Sequence, residues 1–188
     1  MSPPHPSFPK PGRRRIIWLG AVTAGLGPLA LTSMPAHARP QAGDRLCVDD
    51  AEGTPVALKP SDVQAGKPLL AFPFDPTSNT IRNDSRLNKV VLVKIDPADM
   101  DADTRQRAAD GVLAFSAICT HQACEVKTWI AAEKSLVCFC HSSKFLPLQG
   151  AKVAAGPAPR SLPLLPLALK NEQLVVAGPF NSPPGSTG

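Results

Sequence analysis

Two short stretches of this chain concentrate sulfur and imidazole. They are Cys119-Thr120-His121-Gln122-Ala123-Cys124 and, after 13 intervening residues, Cys138-Phe139-Cys140-His141. Thiolate and neutral imidazole are donors that zinc and iron take from proteins. In the first stretch Cys and His are one residue apart, closer than the two-residue spacing of a zinc ribbon. Cys119, His121, Cys138 and His141 therefore form two matching ligand loops, with 16 residues between His121 and Cys138. Two thiolates on one iron and two imidazoles on the other suit a [2Fe–2S] centre, in which neutral nitrogen ligands make the reduced state easier to reach than four thiolates would. The chemistry implied is one-electron transfer. Cys124 and Cys140 are left over, one per loop, and a disulfide between them could tie the loops together across the cluster.

The histidines point the same way. The chain has 4, and His5 and His37 lie in the first 38 residues, so a chain without that segment keeps only His121 and His141. No histidine is then left for the mononuclear iron of an oxygenase, which takes two histidines and a carboxylate.

The two stretches resemble the boxes C-T-H-x-x-C and C-x-C-H-x-S of the Rieske iron–sulfur family. Gly156-Pro157-Ala158-Pro159 is similar to that family's later proline loop, and the resemblance covers about Val112 to Phe180. It is strongest to the disulfide-bearing branch found in quinol:cytochrome c oxidoreductases and in small subunits of periplasmic molybdenum enzymes. The resemblance implies an all-β fold, an antiparallel β-sandwich with a small cluster-binding subdomain. It implies a [2Fe–2S] cluster on Cys119, His121, Cys138 and His141, a Cys124–Cys140 disulfide, a hydrogen bond from Ser143 to cluster sulfur, and a shielding loop at Gly156, Pro157, Ala158 and Pro159. His121 and His141 would be the electron doorway, and in quinol-oxidising members one such histidine accepts a hydrogen bond from the quinol.

Four positions depart from the family pattern. Gln122 replaces an apolar residue, Ala123 and Ser142 replace glycines, and Phe145 replaces a frequent tyrosine. A polar Gln122 suits a wet protein interface better than a lipid-facing quinol pocket. Hydrogen bonds to cluster sulfur stabilise the reduced state, so a missing phenol lowers the expected potential within the range of roughly −150 to +300 mV. Trp129 and Phe139 are further candidates for shielding the cluster, with ordinary packing the plainer reading for Trp129.

The N-terminus suggests where such a protein works. Arg13-Arg14-Arg15 precedes an apolar run from Ile16 to about Leu31, followed by Ala36-His37-Ala38, which is similar to a twin-arginine export signal. The run is interrupted by Gly20, Gly25, Gly27 and Pro28 and falls short of the ~20 residues that span hydrocarbon. Cleavage after Ala38 is the preferred reading, with a retained anchor as the alternative, and a periplasmic location is expected either way. Residues 1–38 hold four Lys/Arg and no acid, so 16 of the 20 basic residues remain against 15 acidic ones, a net charge of about +1. Whole-chain basicity thus comes from the export segment and gives no warrant for a nucleic-acid partner.

What must position the loops is a single domain over residues 39–180, with the cluster loops within 112–160. Short β-rich runs at Val90–Ile95, Val112–Ile118, Ser135–Cys138 and Leu174–Ala177 are the expected strands, with a turn at Lys170-Asn171-Glu172-Gln173. Val48 and Val56 to Leu58 are an expected outer pair around Glu52-Gly53. A helix is expected between Asp96 and Ala109, capped by Asp96 with Pro97 at its first position. The acids Asp96, Asp99, Asp101 and Asp103 lack the glycine and terminal glutamate of a calcium loop. Cys47 reads as a buried small apolar residue, and residues 181–188 as a disordered tail.

The leading functional reading is an exported electron-transfer subunit, passing single electrons from a membrane quinol or a substrate-oxidising catalytic partner toward a c-type cytochrome. A soluble ferredoxin-type carrier is the alternative, and a zinc or thiol–disulfide protein without redox iron is the remote one.

Overall fold

The structure is a computed structural model and describes residues 39–48 and 53–186. The export segment expected at residues 1–38 and Glu52 of the expected turn lie outside the described residues.

Val90-Val91-Leu92-Val93 is an apolar run without alternation, the pattern of a strand covered on both faces. It forms β4 (Val90–Lys94), which pairs antiparallel with β5 (Val112–Ser116) in the register Val91↔Phe115 and Val93↔Leu113. Val90, Leu92, Val112 and Ala114 face one core, together with Leu46, Leu165 and Leu174. Val91, Val93, Leu113 and Phe115 face a second core shared with Cys119, Leu136, Cys138 and Phe145. These two central strands therefore join the base of the fold to the part that carries the cysteines.

The base is an eight-stranded antiparallel sheet. It contains β1 (Arg45–Val48), β2 (Leu69–Asp75), β3 (Thr80–Ile81), β10 (Leu164–Leu165), β11 (Leu167–Lys170) and β12 (Gln173–Val176), in the order β10-β5-β4-β2-β1-β12-β11 with β3 on β2. Only Pro166 separates β10 from β11, yet they occupy opposite ends of that order. The sheet consequently curls round on itself, and one continuous segment supplies the strands at both of its edges. The second sheet is smaller: β6 (Thr128–Ile130), β7 (Ser135–Cys138), β8 (Ser143–Leu146) and β9 (Lys152–Ala155), paired in sequence order. It is inserted between β5 and β10, which are themselves neighbours through Phe115↔Leu164. The architecture is the expected antiparallel all-β one, with the smaller sheet as a separate lobe.

Several local expectations need correction. The helix expected from Asp96 to Ala109 is instead a 3-10 turn at Pro97–Asp99 and a single helical turn, α1 (Ala102–Arg105). Asp96 caps the first through Ala98 N, and Asp101 caps the second through Thr104 N. Two Asx caps so close together favour two short turns over one continuous helix. Val56 to Leu58 is not a strand. Val56 is 79% exposed, while Leu58 bridges β1 and β12 by donating to Leu46 O and accepting from Leu174 N, each at 2.8 Å. The tail is the third correction. Asn181 N donates to Leu164 O at 3.0 Å, and Arg160 holds the carbonyls of Pro183 and Gly185.

Asn171 and Glu172, with φ of 51° and 59°, make the two-residue turn between β11 and β12, the mirror-image geometry that matches strand twist. Cys47 is fully buried, and burial pushes its thiol up to about 11. Among the described residues no helix is long and apolar enough to cross a membrane.

Candidate metal centre

Both stretches that carry the cysteines and histidines are hairpin tips. The β5 ladder ends at Ser116, after which Val126 N donates to Ala117 O at 2.7 Å and Cys119 N to Cys124 O at 2.8 Å. Ala123 closes the first tip with φ of 56°, and its N–H donates to Cys119 O at 3.0 Å. In the second tip Cys138 pairs with Ser143 across β7 and β8, so Phe139 to Ser142 form the connection. Ser142 takes φ of 58° there. The residues that depart from the family's glycines thus occupy left-handed positions, which glycine adopts without strain.

The tips place the cysteines in two layers. Cys119 and Cys138 are free and buried, each 1% exposed. Cys124 and Cys140 form a disulfide between the tips, with their Cα atoms 6.5 Å apart. The sulfurs of Cys124, Cys138 and Cys140 lie within 4.8 Å of one another. Two of those three are spent in the disulfide, so this trio cannot be a thiolate site. His121 and His141 meet edge to face with ring centroids 4.6 Å apart, and His141 is exposed. Nδ1 of His121 is the one buried side-chain nitrogen or oxygen among the described residues without a hydrogen-bond partner. An orphaned buried polar atom asks for an explanation, and an absent metal is one.

Burial holds the Cys138 thiol above its ordinary value, and the adjoining Cys119 sulfur adds to the effect, while backbone N–H groups of Cys140 and His141 oppose it. Raised in this way the Cys138 thiol is harder to ionise, and a metal cation supplies the charge that favours its thiolate. Two inner thiols, two outer imidazoles and an unpaired ring nitrogen fit a two-iron cluster with two sulfur and two nitrogen ligands.

A third segment completes the enclosure. Gly156 (φ +85°) lies so close that a Cβ would meet Ser142 O at 2.7 Å and Ser143 N at 2.8 Å. Ala158 N then donates to Ser143 Oγ at 3.2 Å, which leaves the hydroxyl's own proton free to donate. Ala158 is buried, whereas Gly156, Pro157 and Pro159 are exposed. Trp129, half-buried on β6 opposite Leu136, packs against the shared core. Phe139, expected to shield, is 71% exposed instead. It sits on a hairpin tip, where the backbone turns the side chain away from both sheets.

Sequence reasoning did not single out three residues that hold the first tip. Thr120, fully buried, donates from Oγ1 to Arg160 O at 2.7 Å. Arg86 Nη2 donates to the carbonyl of Ala123. Lys89 bonds Glu125 at 3.0 Å just beyond Cys124. Nothing in the spacing of these residues signals the contacts, since each partner is distant in sequence.

The chain is similar to several known proteins. A protein of Haloferax mediterranei described as the Rieske subunit of a respiratory nitrate reductase is 30% identical over 171 residues, covering 90% of this chain and 74% of that protein. The cytochrome bc1 complex Rieske iron-sulfur subunit of Streptomyces coelicolor is 31% identical over 192 residues, covering 93% of this chain but 53% of that subunit. Among solved structures, the plasma membrane Rieske protein PetC3 of Synechocystis aligns at 24% identity with a TM-score of 0.42, covering 63% of this chain and 93% of that one. The family model for the Rieske [2Fe-2S] domain matches residues 56–166. The chain belongs to that family, whose cofactor is a [2Fe–2S] cluster.

Proposed function

We propose that Cys119 and Cys138 hold one iron of the cluster and His121 and His141 the other, and that the protein serves as an exported electron-transfer subunit of a larger oxidoreductase. The observation that carries this reading is the unpaired, buried Nδ1 of His121 beside the ring of His141. When bound, the cluster supplies a one-electron donor and acceptor.

The chain's own residues do the rest. The disulfide fixes the two tips against each other, and Ser143 Oγ, held by Ala158 N, keeps a proton for cluster sulfur. Such a bond stabilises the more negative, reduced state. The loop from Gly156 to Pro159 keeps water off the inner layer. His141 and Phe139 are both exposed on the second tip, and an apolar ring and an imidazole open to solvent there offer a contact surface for a partner. Gln122 is exposed on the other tip, which favours a protein partner over a lipid-facing quinol pocket.

The likeness to Rieske subunits of a nitrate reductase and of bc1 complexes supports a role inside an oxidoreductase assembly. A quinol or a catalytic subunit would be the donor and a c-type cytochrome the acceptor. Residues 13–38 support twin-arginine export to the periplasm, or to the periplasmic face of the membrane if the segment is retained.

A redox titration followed by electron paramagnetic resonance at several pH values tests the proposal. A positive potential that falls as pH rises through the histidine range supports proton-coupled, quinol-linked transfer. A low potential independent of pH favours the ferredoxin-type carrier, and a colourless zinc-loaded protein would sink the ligand assignment.

A further inference from the structure

One residue holds the C-terminal segment with its side chain and the first ligand tip with its backbone carbonyl. Arg160 directly follows the loop from Gly156 to Pro159. Its Nη2 donates to Pro183 O at 2.7 Å and Gly185 O at 2.6 Å, and its Nη1 to Ser182 Oγ at 3.4 Å. The carbonyl of the same residue accepts from Thr120 Oγ1 at 2.7 Å. Thr120, 0% exposed, stands between Cys119 and His121.

The tail is anchored at a second point. Asn181 exchanges two bonds with Leu164 on β10, at 3.0 and 2.8 Å. Its far end rests on the approach to the ligand tip, since a Cβ on Gly185 would lie 3.1 Å from Leu87 Cδ2 and 4.0 Å from Ile118 Cγ2. β10 and β11 are the end strands of the large sheet, and residues 182–186 form no strand against either of them. Their polar contacts go to Arg160.

We infer that Arg160 is a positioning residue for His121 and that residues 182–186 are the strap that holds Arg160 in place. The inference rests on the assignment of His121 as a cluster ligand. A guanidinium is a planar fork of donors, and bonds at three tail groups fix its orientation. Fixing the side chain fixes the backbone at residue 160, whose carbonyl in turn fixes the buried hydroxyl next to His121. Without that acceptor Thr120 must rotate or draw water into the tip, and either change moves the adjoining imidazole.

The test uses the full-length protein against four variants: Arg160→Ala, Arg160→Lys, a chain ending at Asn181, which keeps the bonds to Leu164, and that shortened chain combined with Arg160→Ala. Amide hydrogen exchange at Cys119 and Ala123, whose N–H groups bond within the tip, reads loop order with or without a cluster. The g-values and midpoint potential read the imidazole in loaded protein. Arg160→Ala and the shortened chain should each speed exchange at these two amides about tenfold or more. Both should shift the g-values and potential in one direction, and the combined variant should go no further than the larger single change. Arg160→Lys should recover only part, because an ammonium cannot span the three tail groups.

Unchanged exchange and g-values with only a lower melting temperature would overturn the inference, and so would effects of the two changes that simply add. If the unaltered protein gave no Rieske signal, the ligand assignment would fail, while the exchange comparison would still decide whether the strap orders the tip.

Discussion

The Cα of Ser143 lies 2.5 Å from where a Cβ on Gly156 would stand. The loop after β9 and the tip carrying His141 are therefore in backbone contact, and only hydrogen fits between them. Gly156→Ala forces that backbone apart and places a side chain at φ +85°. We expect a loss of about 2–4 kcal/mol, together with a cluster that is lost more readily. Chemical denaturation and iron retention would show it, and a change within about 0.5 kcal/mol would mean the loop is free to retreat.

Replacing Cys124 and Cys140 together by serine opens a crosslink between residues 16 apart in sequence. Loop-closure entropy sets the expected loss at about 3 kcal/mol. Reduction of the unaltered protein should lower its unfolding free energy in urea by a similar amount. A stable double variant that loses its cluster faster would place the effect in the native tips instead of the unfolded chain.

Ala123 and Ser142 hold left-handed φ values of 56° and 58°. Glycine at either position relieves about 1 kcal/mol of strain, partly offset by the greater freedom of the unfolded chain. Each substitution should leave stability unchanged or raise the melting temperature by up to about 4 °C. A clear decrease would show that the side chain contributes contacts that outweigh the strain.

Phe145 is fully buried in the core that contains Cys119 and Cys138. A tyrosine there must find a partner for its hydroxyl, and cluster sulfur is the acceptor that its place beside these cysteines offers. Phe145→Tyr should raise the midpoint potential. Equal or lower values would count against a hydroxyl at this position reaching the sulfur.

Burial alone would raise the pKa of Glu125, but hydrogen bonds from Lys89 and Lys127 outweigh it and hold the carboxyl below its ordinary value. A folded pKa below the unfolded one means the stabilisation is present above the ordinary carboxylate range. It is lost as pH falls through the folded value. Half-buried, the pair contributes up to about 1 kcal/mol. Glu125→Gln should lower stability at neutral pH and flatten its dependence between roughly pH 5 and 3. Unfolding curves across that interval are the measurement.

The two stretches that carry the proposed ligands were readable because each spans a few consecutive residues, and because the other histidines fall in the first 38. The strands facing both cores were readable in part, since Val90 to Val93 are uniformly apolar. What resisted reading was long-range. Arg160 serves Thr120 across 40 residues and Gly185 across 25, and no local pattern encodes either pairing. The helix between Asp96 and Ala109 was misread because its capping aspartates were counted once, although Asp101 starts a second turn of its own. The tail was misread because its Pro, Gly and Ser composition is that of a free end. Composition is silent about a distant arginine that supplies the partners.

The single residue that separates β10 from β11 also bears on how this protein behaves among its own copies. A strand with one unpaired side is a template on which another chain can add, the usual route to aggregation in β proteins. The segment around Pro166 supplies both end strands of the large sheet, β10 and β11, and these are only two and four residues long. Open borders are left at β6 and β9 of the small sheet, where strands of three and four residues are too short for extensive pairing. Short strands at these borders thus limit edge-to-edge pairing between copies of the chain.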